Sequence, residues 1–308
     1  MSGTVLLTGA TSFTGCHIAA ALKGAGFRVV ATLTRGRGEY TDALTLRRME
    51  LATPDAWVEH APFGSPKMLE TIATEKPVAF INHGADIRGY RRPDFDYLKS
   101  VASSLSGAES VMKALAAAGT RRFVHTGSIF EPDEGATDPL EMTPAVSIYG
   151  TSKSMVWQAL RYFAESAQLG VSKVIIPDPV GPWENTDRLI PYFVSQWKEG
   201  KEPVVKTPHL VRDRVPAAWL ARVYAEECAR GAESGLVIRR PGAYAMENEA
   251  FLNLFLKRVG KKNVWKFRVE PTPVNEPLER VNREACLELG NAQAEEAFWS
   301  AWTAALGI

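Results

Sequence analysis

The sequence predicts an α/β protein built on a doubly wound parallel sheet, because short apolar segments alternate with longer amphipathic ones as far as Pro177. A glycine-containing turn joins the first apolar segment to the first amphipathic one. After Pro177, helical segments mix with shorter strands. We therefore expect a main domain at residues 1–178 and a smaller C-terminal α/β lobe at residues 179–308, with some C-terminal segments returning to the main sheet.

Hydrophobic periodicity assigns the individual elements. Apolar runs predict strands at residues 4–7, 27–33, 78–82, 122–125 and 174–176. Residues 44–51 are ambiguous. Amphipathic patterns predict helices at residues 15–23, 97–118, 149–168, 189–199, 217–230, 247–259 and 292–306.

Composition excludes several classes of function. The 308 residues include 36 Lys+Arg and 35 Asp+Glu, so the net charge of +1 provides no broad basic surface for nucleic acid or an anionic membrane. No apolar run reaches the roughly 18 residues of a membrane span. Three widely separated cysteines fit neither a disulfide framework nor a zinc site, so we expect no metal and a reducing cytoplasm.

The turn after the first strand is a candidate phosphate-binding loop. Its residues 8–15 read Thr-Gly-Ala-Thr-Ser-Phe-Thr-Gly, with Ser12 in place of the usual middle glycine. Glycines there let the backbone approach a pyrophosphate, which the N–H groups of the following helix stabilise. A Rossmann-type dinucleotide site is therefore predicted, with these cofactor-binding residues: Gly9, Thr11, Ser12, Phe13, Thr14 and Gly15.

The end of the second strand indicates which dinucleotide binds. An NAD site places an acidic residue about 20 residues past the glycines, whereas Arg35 stands there, with Arg37 close by. Between Gly24 and Gly38 there is no Asp or Glu. A guanidinium can hold a 2′-phosphate that a carboxylate would repel, so we predict NADP(H), the alternative being that both arginines are solvated loop charges.

Tyr149 and Lys153 are the candidate catalytic pair. At an offset of four residues they project from one face of a helix, where the ammonium is expected to lower the phenol pKa. Such a phenol can exchange a proton with a carbonyl or hydroxyl oxygen. Ser128, after the strand at 122–125, would be a second donor to that oxygen.

Six short segments in this order resemble the extended short-chain dehydrogenase/reductases, in their NAD-dependent epimerase/dehydratase branch that acts on nucleotide sugars. The resemblance spans nearly the whole chain, and it is carried by residues 8–15, 83–85, 123–128, 149–153, 179–182 and 211–213.

The resemblance implies roles for further residues. Tyr149 would be the acid/base, Lys153 would bind the nicotinamide ribose, and Ser128 would hydrogen-bond the carbonyl. The residues implied to line the cofactor site are Leu51, His83, Gly84, Ala85, Pro179 and Val180. Those implied to bind substrate, besides Ser128 and Tyr149, are Asp178, Leu189, Tyr192 and Arg212, the last through the diphosphate. The resemblance also implies a homodimer formed through the helices at 97–118 and 149–168, the alternative being that their apolar stripes face the sheet.

Departures from the family pattern narrow the reaction. Dehydratases place Asp-Glu after the catalytic Ser or Thr, whereas Ile129 and Phe130 stand here, and Glu131 is expected to point elsewhere. No Cys/His pair is assignable for epimerisation at C3 and C5. Asp178 replaces the asparagine that usually contacts the sugar, and Ser104 replaces another asparagine that supports the site.

The simplest prediction is an NADPH-dependent reductase of a 4-keto nucleotide sugar, often a 6-deoxy one. Three alternatives remain open. The first is a nucleotide-sugar 4-epimerase with retained NAD. The second is an NADPH reductase of a non-sugar ketone, similar to dihydroflavonol and cinnamoyl-CoA reductases. The third is a catalytically silent NADP(H) sensor.

Overall fold

The computed structural model describes residues 3–87, 89–92, 94–136, 142–232, 235–259, 265–273 and 276–308. The candidate site residues all lie within these ranges. In this described part of the chain, no helix combines the length and the apolar character needed to cross a membrane.

Seven parallel strands form the main sheet, which confirms the predicted fold class. They are β1 (Thr4–Thr8), β2 (Arg28–Thr32), β3 (Ala56–Val58), β4 (Ala79–Asn82), β5 (Arg122–Ser128), β6 (Gly170–Ile176) and β10 (Leu236–Arg239). Their order across the sheet is β10–β6–β5–β4–β1–β2–β3. The winding direction reverses between β1 and β4, and ligands of such sheets bind at the carboxyl ends of the strands beside this reversal.

Helices cover both faces of the main sheet. On β1, Val5 and Leu7 join one buried apolar cluster and Leu6 joins the other, because successive side chains of a strand point to opposite faces. The helices are α1 (Phe13–Gly24), α2 (Ala43–Ala52), α3 (Pro66–Glu75), α4 (Tyr97–Leu105), α5 (Ala108–Ala117), α6 (Ile148–Ser166), α7 (Leu189–Lys198), α8 (Ala217–Ala229), α9 (Asn248–Val259) and α10 (Ala292–Leu306).

The C-terminal half forms a second layer of structure above the carboxyl ends of the main strands. Its central strand is β9 (Val211–Pro216), which pairs with β7 (Asp178–Val180), β12 (Tyr244–Glu247) and β14 (Glu279–Arg280). Two shorter pairs are β8 (Val204–Val205) with β13 (Arg268–Val269), and β11 (Pro241–Gly242) with β15 (Glu284–Ala285). Aromatic side chains dominate its buried core: Trp197, Trp219, Phe251, Phe255, Phe298, Trp299 and Trp302.

One segment of the C-terminal half belongs to the main sheet. Strand β10 pairs in parallel with β6, with Leu236 opposite Val171. The two halves of the chain therefore share a sheet as well as a cleft. The division of the chain into domains at residue 178 stays a prediction.

Two segments that the sequence analysis discussed take a different form in the structure, and β3 and α3 were not predicted. Residues 44–51, ambiguous in the sequence, lie in helix α2, because Asp42 caps its start by accepting a hydrogen bond from the Thr45 N–H at 2.8 Å. The single helix expected at 97–118 is two helices, α4 and α5. The chain turns between them through Gly107, which has φ of +64° and could not continue a right-handed helix in that conformation.

Candidate active site

A cavity of about 1610 Å³ lies at the carboxyl ends of the main strands, between the sheet and the C-terminal lobe. Pockets for single drug-sized ligands are usually about 300–1,000 Å³, so this one can hold two small molecules side by side. Its floor comes from the ends of β1, β2, β4, β5 and β6, and its far wall from β9 and α9.

The loop between β1 and α1 brings backbone close to the cavity. Gly9 has φ of +76°, and a Cβ on Gly15 would lie 2.0 Å from the Gly9 carbonyl oxygen. Ser12 caps α1, since its Oγ accepts a hydrogen bond from the Gly15 N–H at 3.1 Å. A side chain at Gly9 would collide with the Gly84 backbone and one at Gly15 with the Gly9 carbonyl, so both glycines are needed for this loop conformation. The loop brings the start of α1, with its free N–H groups, to the cavity, and this fits a pyrophosphate.

His83 ties this loop to the centre of the sheet. Its Nε2 lies 3.0 Å from Ser12 Oγ and 2.8 Å from Thr14 Oγ1, and its Nδ1 lies 2.9 Å from Thr126 Oγ1 on β5. Burial, with a smaller effect of the Lys153 ammonium, lowers the pKa of His83 to about 3. The ring is therefore neutral at physiological pH and fixes the loop by hydrogen bonds rather than by charge.

At the end of β2, the cavity is lined by Arg35 and Tyr40. The Arg35 guanidinium lies over the Tyr40 ring, 4.2 Å from its centroid, which holds an exposed cation in one place. Across residues 32–63, all of which the structure describes, no carboxylate lines the cavity. The Glu39 carboxylate instead accepts a hydrogen bond from the Gly36 N–H at 2.7 Å.

Tyr149 and Ser128 meet at the end of β5. Tyr149 lies in the first turn of α6, which Ser147 caps, and its phenol lies near the Ser128 hydroxyl. Burial and the nearby Tyr90 raise the pKa of Tyr149, and the Ser128 hydroxyl, which lowers it, opposes this only in part. The Tyr90 and Tyr149 rings pack at a centroid distance of 4.7 Å.

Lys153 lies one helical turn after Tyr149, and its ammonium donates a hydrogen bond to the Thr126 carbonyl oxygen at 2.6 Å. Burial lowers the pKa of this buried lysine to about 8. The expected lowering of the Tyr149 pKa by Lys153 is wrong here, because burial dominates and shifts the phenol in the opposite direction. The phenol therefore keeps its proton at neutral pH.

Charged side chains line the other half of the cavity. Asp178 hydrogen-bonds Arg188, which also donates to Glu184 at 2.8 Å. Burial raises the pKa of Glu184 to about 7 despite this guanidinium. Arg212 pairs with Glu276 at 2.8 Å, so a diphosphate bound there would compete with that carboxylate.

The chain is similar in sequence and in structure to known proteins. Residues 5–231 match the model of the NAD dependent epimerase/dehydratase family, and that is more than half of the chain. The chain belongs to the NAD-dependent epimerase/dehydratase family. A putative UDP-arabinose 4-epimerase of Arabidopsis thaliana is 25% identical over 185 residues, which cover 58% of this chain. The match covers only 42% of that plant protein, less than half of its length.

Solved structures share the fold over almost the whole chain. The UDP-glucose 4-epimerase of Thermotoga maritima, solved with UDP-glucose, has a TM-score of 0.73 at 15% identity and covers 99% of this chain and 98% of its own. The UDP-glucuronic acid 4-epimerase of Bacillus cereus, solved with UDP-glucuronic acid and NAD, has a TM-score of 0.73 at 16% identity and covers 99% of both chains. The Bordetella bronchiseptica enzyme WbmH, solved with NAD⁺, scores 0.71 at 18% identity, over 100% of this chain and 99% of its own.

Within this family of enzymes, the residues after Ser128 argue against a dehydratase. Ile129 is buried and Phe130 packs against the Tyr149 ring, at a centroid distance of 6.5 Å. Neither can move a proton. The Glu131 carboxylate turns away from the cavity, since it accepts hydrogen bonds from the Ser128 N–H and from Lys173.

The cavity contains nearly all the residues that the sequence assigned to it. Three do not line it, namely Gly15, Arg37 and Leu51. Gly15 acts indirectly, because its lack of a side chain lets the Gly9 carbonyl oxygen lie close to it. Arg37 is exposed in a short 3₁₀ turn, and Leu51 is half-buried in α2, where it packs against the apolar core. In the segment that directly follows β3, the residues that line the cavity are Ala61, Pro62 and Phe63.

Several cavity residues were missed by the sequence analysis. Arg48 on α2 donates to the Trp183 carbonyl oxygen at 2.9 and 2.7 Å, and so joins the cofactor half to the lobe. Arg214 on β9 hydrogen-bonds Asn248, and its guanidinium lies 4.7 Å from the Phe251 ring centroid. No motif signals these residues, because each contact joins distant parts of the chain.

Proposed function

We propose that the protein is an NADPH-dependent reductase of a 4-keto nucleotide sugar, often a 6-deoxy one. The observation that carries the choice of reductase is the cavity wall at the end of β2. There, Arg35 is held over Tyr40, and no carboxylate from residues 32–63 lines the wall. Cells keep NADPH for reductions, whereas a 4-epimerase needs a retained NAD that it returns unchanged.

The residues present fit a dinucleotide. The loop at Gly9 and Gly15 and the capped start of α1 suit the pyrophosphate. Arg35 would face the 2′-phosphate, and Lys153 the nicotinamide ribose. Further cofactor contacts are proposed for Thr11, Ser12, Phe13, Thr14, His83, Gly84, Ala85, Pro179 and Val180, all of which line the cavity.

When bound, the reduced nicotinamide supplies a hydride. The task of Tyr149 is then to give its phenolic proton to the oxygen that becomes an alcohol. The phenol carries this proton at neutral pH, because burial raises its pKa. Ser128 orients the same oxygen, and the Lys153 ammonium adds positive charge beside it. Arg212, Asp178, Leu189 and Tyr192 would hold the substrate, and all four line the cavity.

The test is a screen of CDP-, dTDP-, GDP- and UDP-linked 4-keto sugars with NADPH. We expect one of them to give one alcohol for each NADPH oxidised. Steady isomerisation of a 4-hydroxy sugar without net loss of NADPH would contradict the reductase. Activity with non-phosphorylated ketones alone would favour the dihydroflavonol-reductase-like alternative. Tight NADPH binding with no turnover of either class would favour the sensor.

The 4-epimerase remains the second candidate. It is favoured by the Arabidopsis relative and by two of the solved structures, which are named as 4-epimerases. Ser128, Tyr149 and Lys153 serve both reactions equally, because each requires proton transfer at a C4 oxygen. Only the cofactor wall separates the two, so cofactor choice is the decisive property.

Removing the Arg35 side chain is expected to abolish the cofactor preference. In Arg35→Ala, the Kd for NADPH should rise about 10- to 100-fold, the effect of losing a charge-assisted contact with the 2′-phosphate, while the Kd for NADH stays unchanged. Fluorescence titration of both dinucleotides measures this. Arg47→Ala is the matched control, since Arg47 is exposed on α2 and pairs with Glu50. Equal affinity of the wild-type protein for NADH and NADPH would contradict the assignment.

A homodimer in the cytoplasm is also proposed. Three large apolar side chains support the dimer, since Leu98 on α4 and Met155 and Tyr162 on α6 are exposed on the two helices expected to form its contact.

A further inference from the structure

A charged pair is buried directly behind the catalytic residues. Lys173 on β6 donates a hydrogen bond to Glu131 Oε2 at 2.7 Å, and their side chains are 5% and 1% exposed. The Lys173 ammonium also lies 5.2 Å from the centroid of the Trp157 ring. Burying two charges costs desolvation energy that their attraction seldom exceeds by much, so a contribution to stability does not by itself explain the pair.

The end of β5 is shaped to make room for this pair. A Cβ on Gly127 would lie 2.6 Å from Lys173 Cε and 3.0 Å from Glu131 Oε1. Any larger residue would push both charged side chains away from the strand. A glycine at position 127, directly before Ser128, is therefore needed for the pair to pack against the strand.

The pair is connected to the catalytic residues in two ways, and the first is a hydrogen bond from the backbone of Ser128. Glu131 Oε1 accepts a hydrogen bond from the Ser128 N–H at 2.7 Å, while its other oxygen holds Lys173. The Ser128 Oγ in turn accepts from the Phe130 N–H at 3.2 Å. One carboxylate thus fixes the backbone that presents the Ser128 hydroxyl to the cavity.

The second connection is electrostatic, because the charges of Glu131 and Lys173 act on Lys153. The titratable groups facing Lys153 from the packed elements are His83, His125 on β5, Glu131 and Lys173. Burial holds the pKa of both histidines far below the ordinary value, so they are neutral at pH 7. The charges that act on Lys153 are therefore Glu131, which raises its pKa, and Lys173, which lowers it less.

We propose that Glu131 and Lys173 are positioning residues, which hold the backbone of Ser128 and set the charge that Lys153 carries in the site. The proposal rests on the proposed function only in so far as Ser128 and Lys153 act in catalysis. It assigns a purpose to a costly buried pair that no step of proton transfer uses directly.

Opposite single substitutions test this directly. The titration of Lys153 is followed in the full-length protein by NMR of the lysine ¹³Cε, with its signal identified by its loss in Lys153→Arg. Glu131→Gln should move the titration midpoint down by about one pH unit, and Lys173→Met should move it up by a smaller amount. A purely structural pair would shift both variants the same way or neither, and either result would overturn the proposal.

Two further variants control for folding. Glu134→Gln removes a carboxylate that lies 3.8 Å from Lys173 and hydrogen-bonds Arg240, without contacting Ser128, so the Lys153 midpoint should stay as in the wild type. The double variant Glu131→Gln/Lys173→Met leaves neither member unpaired and keeps an acceptor for the Ser128 N–H. It should fold even if a single variant does not, with a midpoint below that of the wild type, because the effect of Glu131 is the larger one. An unchanged midpoint in the double variant would reject the charge-setting role.

Kinetics separate this proposal from the proposed function. If a 4-keto sugar is reduced, the pH profile of kcat should move with the Lys153 midpoint while the KM for NADPH changes little. If no such sugar is reduced by the wild type, the proposed function fails, but the two opposite shifts in the NMR titration are still expected.

Discussion

Replacing Tyr149 by phenylalanine is expected to lower kcat by about 10²- to 10⁴-fold, the usual contribution of a positioned proton donor. The phenol lies near Ser128 and keeps its proton at neutral pH, so its loss leaves the developing alkoxide without that donor. The Kd for NADPH should hardly change, because the ring and its packing against Tyr90 remain. Single-turnover kinetics with NADPH and fluorescence titration measure the two quantities.

The matched control is Tyr162→Phe on the same helix. The Tyr162 side chain is 67% exposed on α6 and does not line the cavity, so the loss of its hydroxyl should leave kcat unchanged. Turnover of Tyr149→Phe at the wild-type rate would remove the acid assignment and return the choice to another donor in the cavity. A parallel loss of NADPH binding would instead mean that the phenol has a structural role.

Gly15→Ala is expected to weaken NADPH binding by more than about 100-fold. Within a helix, alanine is normally better than glycine by about 1 kcal/mol, so propensity alone predicts a gain in stability. The added Cβ would lie 2.0 Å from the Gly9 carbonyl oxygen, which forces the phosphate loop out of place. Losing two or more charge-assisted N–H contacts, each worth about 1.5–3 kcal/mol, accounts for the size of the effect.

Gly24→Ala in the same helix is the control for this substitution. No atom outside its local surroundings lies within 4 Å of the added Cβ, so NADPH affinity should match that of the wild type. Isothermal titration gives the affinities, and circular dichroism tests whether the Gly15→Ala chain is folded. A folded Gly15→Ala protein with normal NADPH affinity would mean that the pyrophosphate does not bind at this loop.

Much of the fold follows from local patterns in the sequence. Strands β1, β2, β4, β5 and β6 and most helices come from apolar runs whose period depends only on neighbouring residues, whereas β3 was not predicted. The limits of β5 do not follow from such a pattern, since the strand continues past His125 to Ser128 through residues that pair with β6 and are buried. Helix α2 was ambiguous in the sequence, although Asp42 was a local capping signal for it.

The site was predictable where its chemistry depends on spacing along the chain. The glycine turn and the offset from Tyr149 to Lys153 are of this kind. The direction of the Tyr149 pKa is not, because the offset predicts the effect of the ammonium, whereas the larger effect is burial by the assembled walls. Arg48 and Lys173 escaped notice because their partners, Trp183 and Glu131, lie far away in sequence.

The position of β10 affects which strand edges are unpaired while the chain is being synthesised. Strand β6 lies between β5 and β10, so its outer edge has no partner until residues 236–239 have been synthesised. Throughout that interval, a nascent chain leaves the outward-facing N–H and C=O groups of residues 171–174 unpaired, and other chains can pair with such an edge. Aggregation during synthesis should therefore depend on how quickly translation passes from β6 to β10, and a slow stretch of codons between them is the place where yield would suffer.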